Sequence, residues 1–223
     1  MVTGALIPML TDPGLTRLQQ WLSPSYPIGA FAYSHGLETA IATGAIINID
    51  DLRMWLTDLL TNGAGYSDPI LLVAAYRSED AKALQEIDQQ ARAFAPSKER
   101  LAETALQGTA FCKTTAAISG HDIPDLTYPV GLGHAARLHD LPLDVTVHMY
   151  LHAFASNLVA AAQRLMPVGQ VEGQRILTEL APLIAQVAQD ALTSDLTHLS
   201  GSCFLADIAS MQHETQYSRM FRS

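Results

Sequence analysis

Only two cysteines, Cys112 and Cys203, stand in the 223 residues, 91 positions apart and outside any CxxC pair. They are too few for a disulfide framework or a four-thiolate zinc site. Each adjoins a phenylalanine, Phe111 or Phe204, so both read as buried free thiols of a cytoplasmic protein in a reducing compartment. Aromatic residues are also scarce, at 7%. Positive charge is short: 13 Lys and Arg face 22 Asp and Glu, for a net charge of −9. That balance argues against a nucleic-acid partner, which needs a concentrated cationic face. The acids are spread along the chain, with no acidic tail and no basic arm.

Long clean apolar runs are missing too. The longest, Leu143–Met166, is interrupted by Asp144, His148, His152, Asn157, Gln163 and Arg164. A bilayer would not hold it unaided, so no membrane association is expected. The opening MVTGALIPMLTDPG has neither a basic start nor a long apolar core, and does not read as a signal peptide. GxSxG, GxxxxGK[ST] and HExxH are all absent; Gly131-Leu132-Gly133 lacks the third glycine of a dinucleotide fingerprint. Cys112 has Lys113 beside it but no evident base. The sequence thus predicts no catalytic residue, no cofactor and no nucleotide site.

What is present favours helices. Hydrophobic residues make up 48% of the chain, with alanine and leucine abundant. Proline and glycine punctuate helical stretches. One spans Leu15–Leu22, and a second starts near the cap Ser34 and stops before Gly44. A third follows Asn48 and shows Leu52, Trp55, Leu56, Leu59 and Leu60 on one face. Further helices read over Ser67–Tyr76, from Ser78 to about Phe94, from Ser97 to Ser119, over Gly131–Leu138 and over Leu143–Met166. Val168–Ser194 contains Pro182, which predicts a kink or two separate helices. No convincing strand pair appears. The expected fold is all-α: a single-domain bundle over 1–223, with about eight to ten helices around a central apolar helix. Residues 1–14 and 210–223 are expected as flexible ends.

Eight histidines are the first candidates for chemistry. His148 and His152 share a helix face, with Asp144 one turn earlier. This row defines an alternative reading, a metal-dependent helical-bundle enzyme using Asp144, His148 and His152. Hydrogen-bonded polar groups inside a bundle or at a dimer seam are the simpler account of the same residues. No metal site is assigned; His148 and His152 are the candidate ligands from spacing.

Two segments look built to be gripped. Ser23–Glu38, SPSYPIGAFAYSHGLE, crowds two prolines, two glycines and three aromatics into an ordered loop feeding a helix. It reads either as an elbow between helices or as a shaped partner surface. Ser210–Ser223, SMQHETQYSRMFRS, is locally basic and aromatic on an acidic protein, and its Arg, Tyr and Phe are good interface anchors. A segment folded back on its own domain would account for it as well.

Ser23, Pro24, Pro27, Gly29, Phe31, Ser34, Gly36 and Glu38 together resemble the signature of the urease accessory protein UreF family. So do the segment 210–223, Tyr128–His139 (YPVGLGHAARLH) and Asp195–Leu199 (DLTHL). Ala32 stands where that family commonly has serine. The resemblance implies an all-α, non-catalytic chaperone that forms a homodimer and binds UreD/UreH. It also implies recruitment and regulation of the GTPase UreG for nickel insertion into apo-urease, with nickel passed through the assembled complex. By position it makes Arg219 the partner contact, with Tyr217 and Phe221 as packing anchors. The resemblance also places Pro27, Gly29, Phe31, Tyr33, Ser34, Gly36 and Glu38 on the same partner-binding surface, and the nickel route it implies makes His35 a further candidate ligand.

Overall fold

The computed structural model describes residues 13–223, and among them the regular structure is helical throughout. Ten α-helices follow one another: α1 (Pro13–Trp21), α2 (Leu37–Ala42), α3 (Ile49–Asn62), α4 (Ala64–Arg77), α5 (Ala81–Ala93), α6 (Lys98–Ser119), α7 (Tyr128–Leu138), α8 (Leu143–Leu165), α9 (Gln170–Thr193) and α10 (Phe204–His213). Short 3₁₀ turns occupy Ala30–Ala32 and Leu196–His198. The single all-α bundle expected from composition is what forms.

Local chemistry sets the boundaries. Asn48, Asp80 and Ser97 cap α3, α5 and α6, each accepting a backbone N–H three residues on. Gly120 ends α6 in the left-handed conformation. The Leu52, Trp55, Leu56, Leu59 and Leu60 face of α3 is buried, as its spacing predicts. α4 is the helix buried on every side: Ile70, Leu71, Leu72, Val73 and Ala75 are all buried, and it packs against α3, α5, α7, α8 and α9. The more apolar-looking α8 keeps Asp144, His152 and Ala160 in solvent. Both cysteines are buried free thiols, each raised to about 11, chiefly by burial. No helix among the described residues is long and apolar enough to cross a membrane.

Several expectations need correction. Val168–Ser194 is not two helices: α9 runs unbroken through Pro182. Pro69 sits well inside α4, because that helix starts at Ala64 instead of Ser67. Gly36, with φ +77, takes the cap position of α2, and the Ser34 hydroxyl two residues earlier accepts the Glu38 N–H of its first turn at 3.3 Å while also meeting the Ser223 carbonyl. α10 was not foreseen at all. Of the end 1–14, residues 1–12 lie outside the described residues, and Pro13 and Gly14 open α1.

Candidate partner-binding site

The loop after α1 is pinned from below. Tyr26 is buried beside Phe111, ring centroids 5.7 Å apart, and its hydroxyl meets Thr115 Oγ1 at 2.8 Å. Phe111 also meets Trp21 edge-on. From α8, Asn157 Nδ2 donates to the Ala30 carbonyl at 2.9 Å and Arg164 Nη1 to the Phe31 carbonyl at 2.8 Å. The loop is therefore an ordered shelf on the bundle. It then turns sharply through two left-handed residues, His35 (φ +53) and Gly36 (φ +77). Gly36 is obligatory on two counts. A Cβ there would stand 2.8 Å from Ser210 N and 2.9 Å from the Ala206 carbonyl, so α10 can lie directly on this turn only because there is none.

Residues 210–223 close over the shelf. Instead of a loose end, the segment is fastened by three carboxylates. Glu38, buried, accepts the Met220 N–H at 2.7 Å and the Phe221 N–H at 2.8 Å, and faces His213 Nε2 at 3.1 Å. Glu99, in the first turn of α6, faces His213 Nδ1 at 2.6 Å with one oxygen and accepts Arg219 Nη1 at 2.7 Å with the other. Glu103, one turn further along α6, accepts the Ser223 hydroxyl at 2.8 Å. Backbone pairing completes the closure: Arg222 N–H donates to the Ala32 carbonyl at 2.7 Å, and Ser34 N–H to the Ser223 carbonyl at 2.9 Å. The Ser34 hydroxyl donates to that same carbonyl. Phe221 is buried under the Arg164 guanidinium, 4.3 Å above its ring.

A second polar layer lies below. His35 Nε2 is 2.9 Å from Arg100 Nη1 and 2.9 Å from Glu103 Oε1, and Arg100 pairs with Glu103. Burial alone would raise the Glu103 carboxyl; Arg100 and His35 outweigh it and hold it at about 2. Burial, then Arg100, depresses His35. Burial raises Asp68, which accepts the Tyr150 hydroxyl at 2.7 Å. His35 Nδ1 is buried without a hydrogen-bond partner. A cavity of about 70 Å³ is lined by His35, Asp68, Arg100 and Asp207 among others.

The sequence-predicted residues therefore divide. Tyr33, Ser34, Gly36 and Glu38 are buried, as is Phe221; Ser34 and Glu38 hydrogen-bond residues of the segment 210–223, and Gly36 lies directly under α10. Pro27 and Phe31 are exposed, Phe31 at 67%, and Gly29 shapes the turn at φ +73. Tyr217 packs against nothing, being fully exposed, and Arg219 is partly exposed while tied to Glu99. The row Asp144, His148, His152 does not gather. His148 Nδ1 turns to the Asp144 carbonyl and His152 Nε2 lies 3.5 Å from Ser156. No group of three His, Cys, Asp or Glu among the described residues could hold a metal ion. Missed at the level of sequence were Glu99, Glu103 and His213, and the outward face of α10, where Phe204, Leu205, Ile208 and Met211 are exposed. The i, i+4 spacing of Glu99 and Glu103 was a readable signal that they share a face.

The described residues thus form an all-α bundle that buries acids to hold one of its own segments, with apolar side chains of α10 left outward beside it. A family model named UreF matches residues 46–181. Three relatives, each named urease accessory protein UreF, align over nearly the whole chain. That of Ruegeria sp. (strain TM1040) is 58% identical over 96% of this chain and 100% of its own. That of Ruegeria pomeroyi is 49% identical over 96% and 98%, and that of Bradyrhizobium sp. (strain ORS 278) 42% over 94% and 92%. The chain belongs to the UreF family of urease accessory proteins.

Proposed function

We propose that this chain is a non-catalytic scaffold of urease maturation. It binds UreD/UreH, recruits and regulates the GTPase UreG, and so supports nickel insertion into apo-urease. Nickel is cargo of the assembled complex, the chain works as a homodimer in the cytoplasm, and it carries no resident cofactor. The observation that carries this reading is the clasped segment. Glu38 fixes its backbone, and Glu99 and Glu103 hold its Arg219 and Ser223 side chains, while Tyr217 is fully exposed and Met220 about half exposed. The neighbouring helix turns Phe204, Leu205, Ile208 and Met211 outward. Large apolar side chains held on a rigid backbone lose little entropy on association, the property that suits them to a protein partner.

Regulation follows from two-state logic. A scaffold shifts a GTPase between nucleotide states only by contacting one state better than the other. Two copies in a dimer would hold two GTPase subunits near each other. Arg219 is the chosen point of attack, because its guanidinium is part exposed and part committed to Glu99. Arg219→Ala should abolish UreG capture in a pull-down with UreD and cut urease activation at least tenfold. Full capture with full activation would remove Arg219 from the site.

A further inference from the structure

His213 is fully buried, and both of its ring nitrogens face carboxylate oxygens: Nδ1 lies 2.6 Å from Glu99 Oε2 and Nε2 3.1 Å from Glu38 Oε2. A neutral imidazole has one donor and one acceptor nitrogen. In this position a neutral ring would point a lone pair at a carboxylate, with no water to relieve it. Only the imidazolium donates both ways. The charge balance agrees. Glu38 and Glu99 bring two negative charges, Arg219 brings one positive charge, and an imidazolium completes neutrality around a fully buried ring. The other charged group close by, Glu214, is turned away, accepting the Lys98 backbone N–H at 3.0 Å. Arg100 and Glu103 of α6 are engaged with each other and with His35.

We propose that His213 is a positioning residue: a doubly protonated imidazolium that bridges Glu38 and Glu99, so that docking of residues 214–223 is coupled to uptake of one proton. The pairing reaches both halves of the clasp. Glu38 also holds the Met220 and Phe221 amides, and Glu99 also holds Arg219. Loss of the ring proton would turn one of these two carboxylates from a partner into a repulsive neighbour. The released segment would carry Arg219, Met220 and Phe221 with it. This inference concerns the chain alone and stands apart from any role in urease maturation.

The sign follows from linkage. The docked state binds one more proton than a segment whose imidazole is free and neutral. Docking is therefore favoured as pH falls and weakened as it rises, by up to about tenfold per pH unit over the range where the released ring is deprotonated.

Two measurements on the full chain test it. The first is nitrogen NMR of the His213 ring in the wild-type protein, which needs no substitution. Two protonated ring nitrogens that exchange slowly are expected; the spectrum of a single neutral tautomer with the Met220 and Phe221 amides still protected would overturn the proposal. The second compares amide protection factors at Met220 and Phe221 between pH 6 and 8 in wild type and His213→Gln. In wild type, protection at these two amides should fall with rising pH, while amides of α4 keep theirs. In His213→Gln, protection at the two amides should already be reduced at least tenfold and should no longer respond to pH. Wild-type protection independent of pH, or an unaltered variant, sinks the proposal. Partner capture is not used as a readout, so failure of the scaffold role would leave this result unaffected.

Discussion

Where α7 crosses α4, a Cβ at Gly133 would stand 2.2 Å from the Leu72 carbonyl, and Leu72, Leu132, Ala135 and Ala136 are fully buried around it. At the clasp, burial is as deep, yet Glu38, Ser34, Glu103 and His213 fill the space. The first contact is shape alone, backbone on backbone through a missing side chain. The second is chemistry, in which each buried acid is matched by donors. Shape does not titrate and does not come apart in pieces, whereas a set of ionic hydrogen bonds can be released locally while the bundle stays folded. The same chain thus carries one region built to stay and one built so that its position depends on protonation.

The strongest way to break the shape side is Gly133→Ala. Within a helix this exchange normally gains about 1 kcal/mol of propensity. Here the added methyl meets a backbone carbonyl that cannot rotate away, so the clash wins. We expect a net loss of about 3 kcal/mol in chemical denaturation. An unchanged midpoint would mean that α4 and α7 do not touch as closely as described.

Next comes Glu38→Gln, which keeps size and removes charge. The Met220 and Phe221 amides and His213 then share one carbonyl and an amide group that donates where acceptance is needed. Charge-assisted bonds contribute roughly 1.5–3 kcal/mol each, so clasp docking should weaken by about 2 kcal/mol. Trypsin should cut after Arg219 and Arg222 much faster, with the thermal transition of the bundle little moved. Equal protection from trypsin in variant and wild type would show that Glu38 does not fasten the segment.

How much of this was readable beforehand divides along the same line. Shape and periodicity were legible: the α3 leucine face, the Asn48 and Ser97 caps and the all-helical class follow from local rules. The clasp was only half legible. Residues 23–38 and 210–223 each stood out by composition, but their pairing is a contact across some 180 residues of chain, which no local spacing encodes. That is why the second bond of the Ser34 hydroxyl, to Ser223, was not foreseen, nor the contact between Glu38 and the Phe221 amide that buries both residues. α10 was missed for a related reason. Its Phe204, Leu205, Ile208 and Met211 are apolar residues facing outward, against the usual rule for a surface helix.

Acid sharpens the comparison further. The Glu103 carboxyl is held at about 2, below an ordinary 4.5. A group depressed in this way contributes stability that is fully present above its unfolded value and is lost as pH falls through the folded one. The lower layer should therefore loosen between about pH 4.5 and 2, shown by amide exchange at Ser223 and Ser34. Glu103→Gln should abolish that acid-dependent loss. If the acid limb keeps its steepness in the variant, Glu103 is not its source.

The smallest effect on folding should come from Tyr217, and it separates the two uses of the clasp. Its side chain is fully exposed, so Tyr217→Ala should change stability by no more than about 0.5 kcal/mol. Clasp protection should be unchanged as well, since the residue holds nothing in this chain. Affinity for UreD should nonetheless fall, because an exposed tyrosine on a fixed backbone is the kind of anchor that costs about 2 kcal/mol on truncation. That loss corresponds to roughly 30-fold in Kd, measurable by calorimetry with purified UreD. A variant that binds as tightly as wild type would mean that the segment is clasped for the sake of its own fold, with Tyr217 displayed to no one.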